Sequence, residues 1–282
     1  MKNLNVLSQI TKATAFLRLH QRNGVFIIPN PWDAGSAKVL EHLGFEALAT
    51  TSAGLAFCLG LPDGHASLTR ELTLANASSI INSTRLPVAA DLENGYGDDP
   101  LDCAKTITLA AHIGLCGGSI EDATGKPNDP IYPFKLAVER IKAAVQAKQD
   151  LSVPFTLTAR AENLIYGRPD LKDTINRLTA FADAGADVVF APGLKTHKEV
   201  MAVLKAVHPV PVNVLMGIQG CQLTVDELAD MGVKRISLGS SLIRAAYGGF
   251  IRAVEEVKQQ GTFKFAQETT PYASLNEIFK IS

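Results

Sequence analysis

Four cysteines are all the chain holds, at positions 58, 103, 116 and 221. They lie far apart and without paired spacing, which argues against both a zinc site and a disulfide framework. Reduced, mostly buried thiols are the expected state. No apolar run is long enough to span a bilayer, and the opening Met1-Lys-Asn-Leu-Asn-Val-Leu-Ser-Gln is too polar for a signal peptide. The expectation is a cytoplasmic protein with no membrane partner. Charge of one sign is not in excess either: 27 Lys plus Arg stand against 28 Asp plus Glu, so nothing favours a nucleic-acid partner. A small polar ligand is the better default. Glycine-rich phosphate loops of the G-x-G-x-x-G or G-x-x-x-x-G-K-S/T type are missing after the first candidate strands, which weakens the case for a doubly wound nucleotide-binding sheet. What is present is ordinary globular composition, 282 residues with 46% hydrophobic and 20% charged, enough for one large core or two small ones.

Short β-rich runs recur with a helical stretch behind each, the pattern of βα units and a parallel sheet. The candidate strands are Val25-Ile28, Ala47-Thr51, Val88-Asp91, Gly118-Glu121, Phe155-Arg160, Val188-Ala191, Val212-Met216 and Arg235-Leu238. Helical patterns follow at 33–43, 69–83, 100–113, 133–148, 171–184, 195–206, 223–231 and 240–258. Eight repeats predict a (β/α)8 TIM barrel over residues 1–260. The pairs Leu43-Gly44, Ile113-Gly114, Ala184-Gly185 and Met231-Gly232 sit where helices before a new strand need a left-handed stop. Residues 261–282 read as a C-terminal helical extension with a helix at Tyr272-Ile281. Its Leu275, Ile278 and Phe279 need a surface to cover them, and another subunit is one solution.

In such a barrel the chemistry gathers at the C-terminal ends of the strands. The run Val88-Ala-Ala-Asp91-Leu-Glu93-Asn-Gly-Tyr-Gly97 carries an apolar strand into two carboxylates one residue apart. Read as a strand, it puts Asp91 and Glu93 on one face, where they repel unless a cation or a proton sits between them. A hard divalent ion such as Mg²⁺ suits them; the plain alternative is a polar strand end leading into a glycine turn. The other strand ends offer Asn30 and Asp33, Thr51-Ser52-Ala53-Gly54, Glu121-Asp122, and Arg160 with Glu162. Small residues at Ser52, Ala53 and Gly54 let backbone N–H groups approach a ligand oxygen, and Arg160 is suited to a two-pronged grip on a carboxylate.

These residues resemble the isocitrate lyase and phosphoenolpyruvate mutase superfamily across roughly residues 24–258. The resemblance rests on Pro29-Asn-Pro-Trp-Asp-Ala-Gly-Ser-Ala37, Thr50-Thr-Ser-Ala-Gly54, Pro62-Asp63-Gly64, Ala90-Asp-Leu-Glu-Asn-Gly-Tyr-Gly97, Ser119-Ile-Glu-Asp122 and Thr158-Ala-Arg160. It implies Mg²⁺ or Mn²⁺ and a small 2-oxo or enol carboxylate substrate, with cleavage or formation of a C–C or C–P bond. It further implies a homotetramer, or a dimer, whose subunits exchange C-terminal helices. By position, Asp91 matches the principal metal ligand, and Glu93, Glu121 and Asp63 match carboxylates holding the metal's waters. Ser52, Ala53 and Gly54 match the segment that binds the oxo-acid, and Arg160 the arginine on substrate or enolate.

The chain departs from the superfamily's pattern in two places. No Lys-Lys-Cys-Gly-His loop follows strand 4. The segment there is Ala123-Thr-Gly-Lys126-Pro-Asn128-Asp-Pro130, nearer the Lys-x-Asn gating loop of the phosphonate-processing branch. Its glycine and two prolines suit a mobile lid, which makes Lys126 and Asn128 candidate catalytic residues. Strand 6 ends Phe190-Ala-Pro192-Gly193, without the glutamate of the lyases or the histidine of the mutases. The leading expectation is a Mg-dependent enzyme cleaving a C–C bond next to a 2-oxo acid through an enolate: a lyase, decarboxylase or hydrolase of oxaloacetate- or methylisocitrate-like substrates. The alternatives are a C–P enzyme of the phosphoenolpyruvate mutase, carboxyphosphonoenolpyruvate mutase or phosphonopyruvate hydrolase type, and a non-catalytic 2-oxo acid binder. Elsewhere, His65 reads as solvated and Cys116 as core. Asn213, within strand 7, is open between core packing and ligand contact.

Overall fold

A computed structural model describes residues 2–64 and 67–280; His65 and Ile281 lie outside the described residues. The strands are β1 (Phe26–Ile28), β2 (Leu48–Ala49), β3 (Val88–Asp91), β4 (Gly117–Glu121), β5 (Thr156–Arg160), β6 (Val188–Phe190), β7 (Val212–Leu215) and β8 (Arg235–Ser237). The helices are α1 (Lys2–Gln21), α2 (Ala34–His42), α3 (Ser52–Cys58), α4 (Arg70–Ser83), α5 (Pro100–His112) and α6 (Phe134–Gln149). They continue as α7 (Leu171–Asp183), α8 (His197–Val207), α9 (Val225–Met231), α10 (Ser241–Gln260) and α11 (Tyr272–Lys280). All eight strands are parallel, in the order β1-β8-β7-β6-β5-β4-β3-β2. The seam between β1 and β2 is drawn together by Ala49 N–H donating to the Pro29 carbonyl at 3.1 Å and by Asn30 Nδ2 donating to the Thr50 carbonyl at 3.2 Å. This is the (β/α)8 barrel.

The eight strands and their helices stand where the periodicity puts them, within a residue or two. Gly44, Gly114, Gly185 and Gly232 take φ of 85°, 103°, 102° and 91°, the left-handed stops that those positions require. Two helices have no counterpart in the periodicity reading, the N-terminal α1 and the seven-residue α3. Strand alternation sorts the barrel into two faces. Leu157, Ala159, Val189, Val212, Val214 and Ile236 point outward into the main core against the helices. The inward positions are small or polar along much of the barrel, with Ala49, Ala89, Ser119, Thr158, Asn213 and Ser237 all facing one cavity.

Helix α1 closes the N-terminal end. Phe16, fully buried, and His20 reach up against Phe26, and His20 meets both phenyl rings edge to face at centroid distances of 4.8 and 5.0 Å. A Cβ on Gly117 would lie 2.9 Å from the Phe16 ring, so the plug needs a strand without side-chain bulk at that point. At the other end of the chain α11 packs on α2, where Lys38 Nζ donates to the Phe279 carbonyl at 3.5 Å. Tyr247, Phe250, Ile251 and Val254 of α10, with Phe263, Tyr272 and Phe279 beyond it, remain exposed.

Candidate active site at the barrel mouth

The mouth is organised around Arg160, the last residue of β5. Its side chain is 13% exposed and touches three carboxylates from three elements. Nη1 donates to Asp91 Oδ1 at 2.8 Å and Nε to Glu162 Oε1 at 2.9 Å, and Nη2 lies 3.1 Å from Glu121 Oε2. The guanidinium also stacks over Phe190, 5.2 Å from the ring centroid. Register places these groups: Glu121 is paired with Arg160 across β4 and β5, and Arg160 with Phe190 across β5 and β6. Parallel partners in register point to the same side of the sheet.

Asp91 ends β3, and its second oxygen accepts from the Ser52 backbone N–H at 3.2 Å and the Ser52 hydroxyl at 2.8 Å. Glu93 departs from the strand-face expectation. The strand stops at Asp91, and Glu93 sits in the following loop with φ of 46°, so the two carboxylates do not share a strand face. They still feel each other, since burial and then the charges of Asp91 and Asp63 push the Glu93 carboxyl up to about 8. Two buried arginines hold this loop in place. Arg70 donates to the Gly95 carbonyl at 3.0 Å, and Arg140 donates to the carbonyls of Asn94, Gly97 and Asp98. Gly97 has no room for a side chain, as a Cβ there would fall 2.0 Å from Asp102 Oδ2.

Burial raises Glu121 well above the usual carboxylate range and Glu162 to about 7, in each case against the opposing pull of Arg160. Asp122 is buried and structural: it accepts from the Glu162 N–H at 2.8 Å and from Arg177 at 3.1 Å. Asp33 likewise caps α2, accepting from the Ser36 N–H at 2.7 Å.

A cavity of about 210 Å³ opens beside this cluster, lined at its mouth by Ser52, Ala53, Asp63, Asp91 and Arg160. The Ser52-Ala53-Gly54 segment is the first turn of α3, capped by Thr51, whose hydroxyl accepts the Gly54 N–H at 3.2 Å. With the Ser52 N–H given to Asp91, Ala53 carries the N–H that takes no acceptor among the described residues. Gly54 lies behind the wall, packed so closely that a Cβ would meet Thr51 Cγ2 at 2.5 Å. Lys126 and Asn128 are exposed and away from the cavity, with Lys126 Nζ 2.6 Å from Asp98 Oδ2.

Of the floor, the sequence singles out only Asn213, open between core packing and ligand contact. There Arg235, Asn213, Thr158 and Ser237 line the same cavity. Arg235 donates to Asn213 Oδ1 at 2.9 Å and Thr158 Oγ1 at 3.0 Å, and Asn213 Nδ2 donates to Ser237 Oγ at 2.8 Å. Asn213 is thus at once buried core and cavity wall. A signal was available: on a barrel strand the outward face is apolar against helices, so the alternating polar residues of Arg235-Ile-Ser237 and Thr156-Leu-Thr158-Ala-Arg160 face inward.

Among the described residues no three Asp, Glu, His or Cys side chains form a ready set of metal ligands. The donor chemistry nevertheless fits a hard divalent cation. The mouth presents oxygen ligands only, with more carboxylates than Arg160 can neutralise, and Mg²⁺ is commonly held by one or two carboxylates with water completing its shell.

The family model described as phosphoenolpyruvate phosphomutase matches residues 16–258. The chain belongs to the isocitrate lyase and phosphoenolpyruvate mutase superfamily. A crystal structure of a Burkholderia cenocepacia J2315 superfamily protein, provisionally named a lyase/mutase, is 54% identical with a TM-score of 0.93, covering 96% of each chain. The 2-methylisocitrate lyase of Shewanella oneidensis is 30% identical over 80% of this chain and 78% of its own length. The structure of an oxaloacetate acetylhydrolase with its product oxalate is 27% identical with a TM-score of 0.86, covering 96% of this chain and 95% of that one. Superfamily relatives of this kind are lyases, hydrolases and mutases, which supports an enzyme. No helix among the described residues is long and apolar enough to cross a membrane.

Proposed function

We propose that the chain is a divalent-metal-dependent enzyme that cleaves a C–C bond beside a 2-oxo acid through an enolate, as a lyase, decarboxylase or hydrolase of an oxaloacetate-like or methylisocitrate-like compound. The observation that carries this reading is the convergence of Asp91, Glu121 and Glu162 on one guanidinium at the rim of a cavity. Asp91 would be the direct ligand of Mg²⁺ or Mn²⁺, and Glu93, Glu121 and Asp63 would hold its waters. The ion supplies Lewis-acid stabilisation of the negative charge that develops on the oxo-acid oxygen.

The chain's own residues do the rest. Arg160 spends three N–H groups on carboxylates and keeps two of its five for the substrate. It clamps the substrate carboxylate and, held at a fixed angle by three anions, needs no reorganisation to do so. The Ala53 N–H, with Ser52 and the close-packed Gly54 behind it, receives the oxo-acid. Lys126 and Asn128 leave the surface and close over the ligand, keeping water from protonating the enolate on the wrong carbon. For Lys126 this means breaking its exposed pair with Asp98, a contact that costs little to lose.

The exposed apolar face of α10 and α11 supports a homotetramer, or a dimer, built through exchanged C-terminal helices; light scattering on the purified chain checks this, and a monomer at micromolar concentration overturns it. Two other readings have support. The family model's phosphomutase description favours C–P chemistry. The cavity wall, which holds no Cys, His or Lys among its lining residues, favours a non-catalytic 2-oxo acid sensor. A Mg²⁺-dependent screen of 2-oxo acids and phosphonates with product identification separates the three. The expected result is metal-dependent scission of a 2-oxo acid. Binding of oxalate with no turnover of any compound leaves the sensor. In the same assay, alanine at both Lys126 and Asn128 is expected to cut turnover at least tenfold and leave oxalate affinity within twofold.

A further inference from the structure

The floor of the cavity holds a buried cation that the mouth chemistry does not use. Arg235 is 6% exposed, yet no carboxylate pairs with it among the described residues. Its partners are all neutral: Asn213 Oδ1, Thr158 Oγ1 and the His20 ring at 3.3 Å. Because His20 Nδ1 lies 2.9 Å from the Phe16 carbonyl, which only accepts, Nδ1 carries the ring proton and Nε2 offers Arg235 a lone pair. Three acceptors take three of the five guanidinium N–H groups, so two have no acceptor among the described residues. Burial and the charge of Arg160 pull Arg235 down to about 9, which leaves it protonated at neutral pH. An unpaired buried charge is costly to keep, and here β2 and β3 contribute only the small side chains of Ala49 and Ala89 to the wall.

The two arginines are set at different depths. Arg235 reaches Thr158, which lies two residues below Arg160 on β5, so the floor is about 7 Å beneath the mouth at the rise of a strand. A four- or five-carbon dicarboxylate spans that interval.

We propose that Arg235, with Asn213, Thr158 and Ser237, forms a second anion subsite that takes the distal carboxylate of a 2-oxo dicarboxylate whose oxo-acid end sits at Arg160 and Ser52. This rests on the reading of the mouth as an oxo-acid site and adds the substrate class: a dianion with its charges at opposite ends.

Calorimetry in Mg²⁺ with three probes tests it: oxalate, which needs the mouth alone; 2-oxoglutarate; and 2-oxopentanoate, which has the same carbon count without the distal carboxylate. The wild-type chain is expected to bind 2-oxoglutarate at least tenfold more tightly than 2-oxopentanoate. Arg235→Met is expected to erase that preference and leave oxalate within twofold, and Arg235→Lys to restore part of it. Equal wild-type affinity for 2-oxoglutarate and 2-oxopentanoate overturns the subsite even if Arg235→Met does not fold. Equal weakening of oxalate and 2-oxoglutarate in Arg235→Met overturns it too, since Arg235 would then only shape the barrel. If wild type binds no oxalate, the mouth reading fails and the subsite falls with it; oxalate binding without a dicarboxylate preference sinks the subsite alone.

Discussion

At the mouth of the barrel Asp91, Glu121 and Glu162 crowd one guanidinium, whereas at the opposite end Arg235 is ringed by neutral partners above a plug of Phe16, His20 and Phe26. Both arginines are buried and both belong to strands of the same sheet. One has too many anions and the other too few. On the proposed function the mouth is held in a state that a bound cation would relieve, its residues kept for chemistry at some cost to stability. Beneath Arg235 the plug gains its stability from the aromatic packing of Phe16, His20 and Phe26. The same fold assigns the two tasks to opposite ends of its strands.

The sharpest test of this division is Asp91→Ala. It is expected to abolish Mg²⁺-dependent oxalate binding in calorimetry while the melting temperature stays within a few degrees, because it removes one of three anions competing for Arg160 and opens no core cavity. A large drop in stability with binding retained would reverse the assignment of the two ends. Phe16→Ala is the converse change. Loss of a fully buried phenyl ring is expected to cost about 3–5 kcal/mol in denaturant unfolding, with oxalate affinity of the folded fraction unchanged.

Smaller effects sharpen the contrast. Arg160→Lys is expected to weaken oxalate binding about tenfold or more, since a lysine cannot reproduce the flat fork; Arg168→Lys, on the exposed loop after β5, is the control and is expected to change nothing. A matching loss in both would misplace the clamp. The plug also carries a pH signature. Burial and the Arg235 charge hold His20 down at about 3, below its ordinary 6.5. The folded state therefore binds fewer protons than the unfolded chain between those values. The His20 contribution is complete above pH 6.5 and lost as pH falls toward 3, by up to roughly 1.4 kcal/mol per pH unit. Unfolding titrations of wild type and His20→Gln read it as a shallower acid slope in the variant.

Much of the barrel was legible because its signals are local: alternation within strands, helical spacing after them, and glycines at left-handed stops such as Gly114 and Gly232. α1 escaped notice because its buried Ala13, Phe16, Leu19 and His20 lie in its second half, behind a polar first half that reads as a plain N-terminus. α3 is only seven residues long and begins with Ser-Ala-Gly, which reads as a ligand loop. Glu93 reaches the site from a left-handed loop position, which no i, i+2 rule describes. Arg235 was hidden for a different reason. A polar residue in a strand ordinarily signals the solvent face, and only barrel closure turns that face inward. The proposed lid residues Lys126 and Asn128 stood out by composition, but the position of Lys126 against Asp98 depends on a partner 28 residues away.

Among the described residues the aromatic plug of Phe16, His20 and Phe26 stands beneath the barrel, and the cavity opens past the carboxylates of the mouth. If the proposed cleavage takes place here and the mouth is the way in, passage is first in, last out: a group destined for the floor has to arrive before the rim fills, and the fragment nearer the rim has to depart before the deeper one can follow. Product inhibition patterns, rather than affinities, will carry the imprint of α1.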